Sequence, residues 1–220
     1  MKGLDFIRGV GGLIFALLIS VQGAEFTEHF EGPLGKQWKP VKFEGLTEYR
    51  VMKEGTNSFL RAVSDGSASG LATEVKIKPS KDLKISWRWK LDKIPPGSSD
   101  DKIETFDHTV RLFVAFKTLV GPPRSINYVW GNSKRVGEMY HHPSSGRSRF
   151  IVLQAGNEKA GKWISEERNV WDDFKELFDG DEPPVIVGIG VMTDSDGTKS
   201  KVVGEYDAIV MERGASATTR

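Results

Sequence analysis

The sequence predicts an all-β protein: a two-sheet antiparallel β-sandwich of jelly-roll, galactose-binding-like or concanavalin-like type, with one short helix. Three observations lead there. Residues 82–92, DLKISWRWKLD, alternate apolar and polar side chains without a break. About ten short runs rich in β-branched and aromatic residues recur along the chain, separated by Gly, Pro and Asp turn signals. The 220 residues include no cysteine, so no disulfide helps and apolar burial must hold the fold together.

The elements follow in order of strength. In residues 82–92, Leu83, Ile85, Trp87, Trp89 and Leu91 face one way, and Lys84, Ser86, Arg88 and Lys90 the other. That is a strand with one buried and one wet face. Residues 107–118 read as a more interior strand, with Val110, Leu112, Val114 and Phe116 on one face and Arg111, Phe113 and Ala115 on the other. Further strands are expected at 126–130, 150–153, 185–192 and 202–211, and weaker ones at 26–30, 49–52, 59–63 and 71–77. Asn169 is placed to cap a helix whose Val170, Trp171, Phe174, Leu177 and Phe178 form the buried stripe. Asp172 and Asp173 lie in its first turn, where the helix dipole favours acids.

Residues 1–23 are expected to be an export signal. Lys2 and Arg8 precede the uncharged run VGGLIFALLISV, and Val21-Gln22-Gly23 offers small residues for cleavage before Ala24. The run is short of the roughly 20 apolar residues that span a bilayer, so no stable membrane insertion is expected after cleavage. The location implied is the periplasm or the exterior. Residues 24–213 then form a single domain, and 214–220 a small, polar, disordered tail. Losing Lys2, Arg8 and Asp5 with the signal takes 31 basic and 30 acidic residues to 29 of each. A neutral protein lacks the field that gathers phosphates, which argues against nucleic acid as a partner.

The chemical motifs are sparse. Glu205-Tyr206-Asp207 with Glu212 resembles the carboxylate strand of exported jelly-roll glucanases, but Glu212 falls on the opposite face, which favours a plain last strand. Asp194-Ser195-Asp196-Gly197 offers Asp194 and Asp196 as calcium ligands. The loop lacks the third ligand and the bidentate Glu of a helix-loop-helix calcium site, and a hairpin turn explains Asp-Gly equally well. No other cofactor is expected. His141-His142 are expected in an exposed loop, because adjacent imidazoles on an extended chain point apart. His108 beside Asp107 has no Ser or Cys motif to serve. Trp87 and Trp89 belong to the core. Trp130, at a strand end before Gly131-Asn132-Ser133, is expected at a loop-lined rim, with Tyr128 on the same face.

Several strings then occur in a familiar order: Leu60-Arg61-Ala62, Ser67-Ala68-Ser69-Gly70-Leu71, Ser86-Trp87-Arg88-Trp89-Lys90, Ile126-Asn127-Tyr128-Val129-Trp130, Glu167-Arg168-Asn169-Val170 and Met192-Thr193-Asp194-Ser195-Asp196. Together they resemble the exported bacterial proteins of the domain-of-unknown-function 3047 family. The resemblance implies a secreted or periplasmic β-rich domain and brings no catalytic residues. The family's Asp-x-Asp element usually continues with Asn, where this chain has Gly197.

Two classes of function stay open, with the lack of a catalytic motif weighing toward the first. One is a non-catalytic module for a neutral glycan or small molecule, with Tyr128 and Trp130 stacking, and Arg88, Asp107, Arg111 and Arg168 orienting hydroxyls from one concave face. The other is a periplasmic glycoside hydrolase or polysaccharide lyase using carboxylates from among Glu104, Asp107, Asp172, Asp194 and Glu205. A structural envelope protein is a third reading; it predicts a large exposed apolar patch and no pocket.

Overall fold

A computed structural model describes residues 23–214. The expected export signal, but for Gly23, and the tail beyond Gly214 lie outside the described residues. Thirteen strands are present: β1 (Phe26–Glu28), β2 (Lys39–Glu44), β3 (Glu48–Glu54), β4 (Asn57–Asp65), β5 (Ala68–Ile77), β6 (Leu83–Leu91), β7 (Arg111–Phe116), β8 (Arg124–Gly131), β9 (Met139–His142), β10 (Ser145–Ala155), β11 (Ile164–Asn169), β12 (Ile186–Asp194) and β13 (Lys201–Arg213). One helix, α1 (Val170–Leu177), sits between β11 and β12.

The strands form two stacked sheets. One runs β11-β6-β13-β4-β3, with β1 also paired to β13; the other runs β2-β5-β12-β7-β8-β10-β9. This is the sandwich the alternation predicts. One pair departs from antiparallel order: β10 runs parallel to β8, because the chain crosses back through β9, which pairs on the far side of β10.

The strong period-two strand appears as β6, whose Leu83, Ile85, Trp87, Trp89 and Leu91 are all buried. Burying such a row contributes on the order of 10 kcal/mol before the entropy of ordering is subtracted. Their partners on the facing sheet are Leu112, Val114, Phe116, Ile126, Tyr128 and Trp130. Trp87 meets Trp89 edge-on at 5.3 Å and lies 5.1 Å from Tyr128, and Trp89 lies 6.3 Å from Trp130, so aromatic rings bridge the two sheets. Residues 107–110 do not join β7. They stay in a loop because the Asp107 carboxylate accepts from the backbone of Gly197 and Thr198.

Helix α1 closes one end of the core. Asn169 caps it through Oδ1, accepting from the backbone N–H of Trp171 and Asp172. Val170, Phe174 and Leu177 are buried; Phe174 packs on Phe116 at 4.5 Å and on Phe178 at 4.4 Å. Trp171, expected in that stripe, is half-exposed, and the buried Asp173 takes its place by pairing with Arg168 and accepting from Tyr128 Oη at 2.8 Å. Replacing Asn169→Ala is expected to cost about 1 kcal/mol in urea unfolding, the usual loss for an N-cap.

Candidate functional site

The two outer faces differ in kind. On the six-stranded sheet, β13 turns Glu205 and Asp207 outward, and each finds cations: Arg61 and Lys90 for Glu205, Arg88 for Asp207. Trp163 lies against Arg88 and Lys90 and edge-on to Phe59, so this face is covered by its own side chains. The structural reading of Glu205-Tyr206-Asp207 is therefore the one observed.

The seven-stranded sheet is open in its middle. Its register builds a row across every strand: Lys39, Ala72, Gly190, Phe113, Asn127, Phe150 and Tyr140. A neighbouring row carries Val41, Gly70, Met192, Arg111 and Val129. Glycines lower the floor beneath Phe113: a Cβ on Gly190 would run into that ring and come within 2.8 Å of the Leu71 carbonyl oxygen. Phe113 is thus laid over the strand beside it. A backbone approached this closely is the usual reason for Gly inside a strand.

A cavity of about 490 Å³ opens on this face. Phe113, Phe150 and Met192 supply apolar surface; Arg111, Asn127, Ser125 and His142 supply polar groups, with Asp107, Asp194 and Asp196 at one end. Its flank is a second small core of Phe106, Val129, Tyr140, Phe150 and Val152 on the outer side of the sheet. Strand β8 is consequently buried on both faces around Ile126–Trp130.

Polar order in this region comes from one connected network. Arg111 is 7% exposed and donates through Nη2 to both oxygens of Asp194, at 3.0 and 2.8 Å. The same nitrogen is 3.4 Å from His108 Nδ1, and the His108 backbone N–H also donates to Asp194. His108 Nε2 is 3.0 Å from Asp100 Oδ1, while Asp100 Oδ2 accepts three successive backbone N–H groups, from Asn132, Ser133 and Lys134. Arg111 also lies over the Phe150 ring at 5.5 Å, and its Nε has no partner.

Burial pushes the carboxyl of Asp194 up, against the opposing pull of Arg111. Burial and the neighbouring Asp107 charge raise Asp196 as well. For Asp100, burial would raise the pKa, yet the His108 hydrogen bond and the Ser133 and Lys134 N–H groups outweigh it and hold the group well below the usual carboxylate range. His142 is lowered by burial and by Arg111, so its imidazole stays neutral to more acidic pH.

The sequence-derived site residues separate into three places. Arg111 and Asp107 line the cavity together with Asp194 and Asp196. Arg88 and Arg168 belong to the other sheet, on β6 and β11, so the expected collection on one concave face is corrected. Arg88 pairs with Asp207, and Arg168 with Asp173. Tyr128 and Trp130 are 0% and 1% exposed in the core, so they form no rim. Their polar atoms are satisfied by Asp173 and by the Gly156 carbonyl. Of the carboxylates weighed for catalysis, Asp107 and Asp194 reach the cavity; Glu104 is exposed in the short 3-10 turn Ile103–Thr105, Glu205 lies on the opposite sheet and Asp172 on α1.

Among the cavity residues to which the sequence gives no site role are His142 and Phe113. His142 lies in β9, not in an exposed loop, with its ring 4.7 Å from Phe106. Phe113 is the half-buried ring laid over Gly190 at the cavity, and its signal is available in Gly188-Ile189-Gly190 and Gly70, glycines within strands. Asp107, Asp194 and Asp196 place oxygens within 4.8 Å of one another. The first two already accept from Gly197, Thr198, Arg111 and His108.

The family model described as "Protein of unknown function (DUF3047)" matches residues 36–210, and the chain belongs to that family. No curated protein matches it. Among solved structures it is similar to a family 11 carbohydrate-binding module from Clostridium thermocellum in complex with a β-1,3-1,4-mixed-linked tetrasaccharide (15% identity, 85% of this chain and 94% of that one, TM-score 0.42). It is also similar to the K1 cleaved adhesin domain of Lys-gingipain from Porphyromonas gingivalis W83 (10% identity, 87% and 99%, TM-score 0.45). A third is the carbohydrate recognition domain of Emp47p (10% identity, 87% and 96%, TM-score 0.45).

Asp100 supplies the first pH test. A carboxylate whose folded pKa is depressed stabilises the fold above its unfolded pKa, near 4, and that contribution is lost as pH falls below it. Asp100→Asn is expected to cost about 3 kcal/mol at pH 7 and to flatten the acid limb of a stability-against-pH curve below pH ~4.

Proposed function

We propose that this DUF3047 protein is an exported, non-catalytic binding module that takes a neutral, hydroxylated ligand of glycan type into the cavity on the seven-stranded sheet. The observation that carries this reading is the pairing, in one cavity, of a half-buried aromatic platform with donors and acceptors set side by side. Phe113 offers a face for stacking. Arg111 lines the cavity next to the acceptors Asp194 and Asp196, and its buried Nε has no partner in the protein. A hydroxyl both accepts and donates, and so suits such a boundary. A fully anionic ligand would meet the carboxylates at the cavity's end, and a fully apolar one would leave the polar groups unpaired.

One observation favours a hydrolytic alternative. Asp196, which burial and the Asp107 charge hold above the usual carboxylate range, lies beside Asp107 and Asp194, and a raised carboxyl next to other carboxylates is what a general acid in glycoside cleavage needs. Against it, both oxygens of Asp107 and both of Asp194 already hold hydrogen bonds from the protein, so neither is free to act as nucleophile or base. The same bonds argue against calcium: these carboxylates are compensated by Arg111 and by backbone N–H groups. The cavity speaks against the structural envelope reading, which needs none. Among the described residues no helix is long and apolar enough to cross a membrane.

A glycan-array and cell-wall-fragment screen of the protein beginning at Ala24, with product analysis of each hit, tests this. Binding without turnover is expected. Phe113→Ala should weaken it by roughly tenfold or more, the scale of one lost aromatic contact, while Trp163→Ala on the opposite sheet leaves affinity unchanged. Silence across the array, or hits indifferent to Phe113→Ala, overturns the binding site. Product release abolished by Asp196→Asn would establish the hydrolytic alternative instead.

A further inference from the structure

The cavity does not end at Phe113. A second cavity, also about 490 Å³, lies on the same outer face toward the edge strand β2. The two share Val41, Phe113 and Ala115 as lining. Between them the floor is built from small residues, because the cross-strand positions there are Ala72, Gly188, Gly190 and Ala115. The far side is polar, with Gln37, Lys39 and Glu74 placed around an otherwise apolar floor. Neighbouring strands in a sheet are roughly 4.8 Å apart, so a path from β10 across β8, β7, β12 and β5 to β2 is about 24 Å long. A single small molecule does not need that length.

We infer that the ligand is an extended oligomer of neutral hydroxylated units lying across the strands, with units on both sides of Phe113. This rests on the binding reading above and adds to it the form of the ligand. On one side a unit meets Arg111, Asp194 and His142, the half of the trough where the nine-tenths-buried guanidinium keeps an unpaired N–H. On the other, a unit meets Lys39, Gln37 and Glu74, which again set donors beside acceptors and carry no strong net charge. The two halves differ in rigidity. Arg111 is fixed by its network, whereas Lys39 lies on an edge strand with every residue exposed. The first half should therefore give most of the selectivity, and the second should add affinity with chain length.

The test is titration calorimetry with ladders of β-linked gluco-, xylo- and N-acetylglucosamine oligosaccharides, from one unit to six, alongside the array screen. The series that binds is expected to tighten by about tenfold or more from one unit to four and then level off. Ala72→Phe, which fills the second cavity from a half-exposed position, should remove that gain while leaving the shortest ligand's affinity within about twofold. Lys39→Ala, at an exposed site where the fold is safe, should reduce the gain without abolishing it. Equal affinity for all lengths, or an Ala72→Phe variant that binds long and short members like the parent, overturns the extended-ligand inference and leaves the single-cavity reading intact. Failure of every ladder together with a silent array overturns both.

Discussion

The structure around the cavity depends on one buried ion pair, Arg111 with Asp194. Arg111 opens β7 opposite Met192, and Asp194 ends β12 two residues beyond, so the pair is diagonal across neighbouring strands, on the side of the sheet that looks away from the core. An isolated guanidinium or carboxylate there would cost several kcal/mol, and truncating either partner strands the other; losses of about 3–5 kcal/mol are usual for such a break. The pair is therefore a constraint more than a source of stability. Through His108 it reaches Asp100, and through Asp100 it fixes the backbone of residues 132–134. A loop that wraps the sheet's rim is held in place by a chain of hydrogen bonds that begins in the cavity.

That arrangement divides labour between the sheets. Charged residues on the outer side of the six-stranded sheet neutralise each other locally and are roofed by Trp163. On the seven-stranded sheet Asp107, Arg111, Asp194 and Asp196 gather at one end of the cavity and Lys39 and Glu74 lie toward β2, with a low middle of Gly and Ala between them. A side chain large enough to fill that middle is excluded at Gly190 by the ring of Phe113 and the Leu71 carbonyl. Concavity here follows from residue size: bulky groups at both flanks and small ones between. The second small core under Phe106 and Phe150 raises one flank, and exposed β2 forms the other.

Much of this architecture was legible in the sequence, and the rest was not for identifiable reasons. The alternation of residues 82–92 marks β6 because one face is core and the other solvent. Asn169 and the apolar residues after it mark α1. By contrast β2, β9 and β11 went unrecognised: they are short or edge strands with few apolar residues. Tyr128 and Trp130 misled because β8 is buried on both faces, so the period-two pattern cannot tell core from rim. Arg88 and Arg111 look alike in sequence, each a cation among apolar neighbours. Only pairing order puts them on opposite sides of the molecule. Glycine spacing in β12 was the one local signal for the site, since it shows where a ring comes down on the backbone.

The proposed function places the ligand on the outer face of the seven-stranded sheet. Backbone amide shifts in a nitrogen–proton correlation spectrum, followed while the best oligosaccharide from the array is added, test it most directly. Perturbations are expected to concentrate at β5, β7, β8 and β12, with Gly70, Phe113, Asn127 and Gly190 among the largest, and little change across β4, β6 and β13. Perturbations centred on Trp163, Arg88 and Glu205 would contradict it.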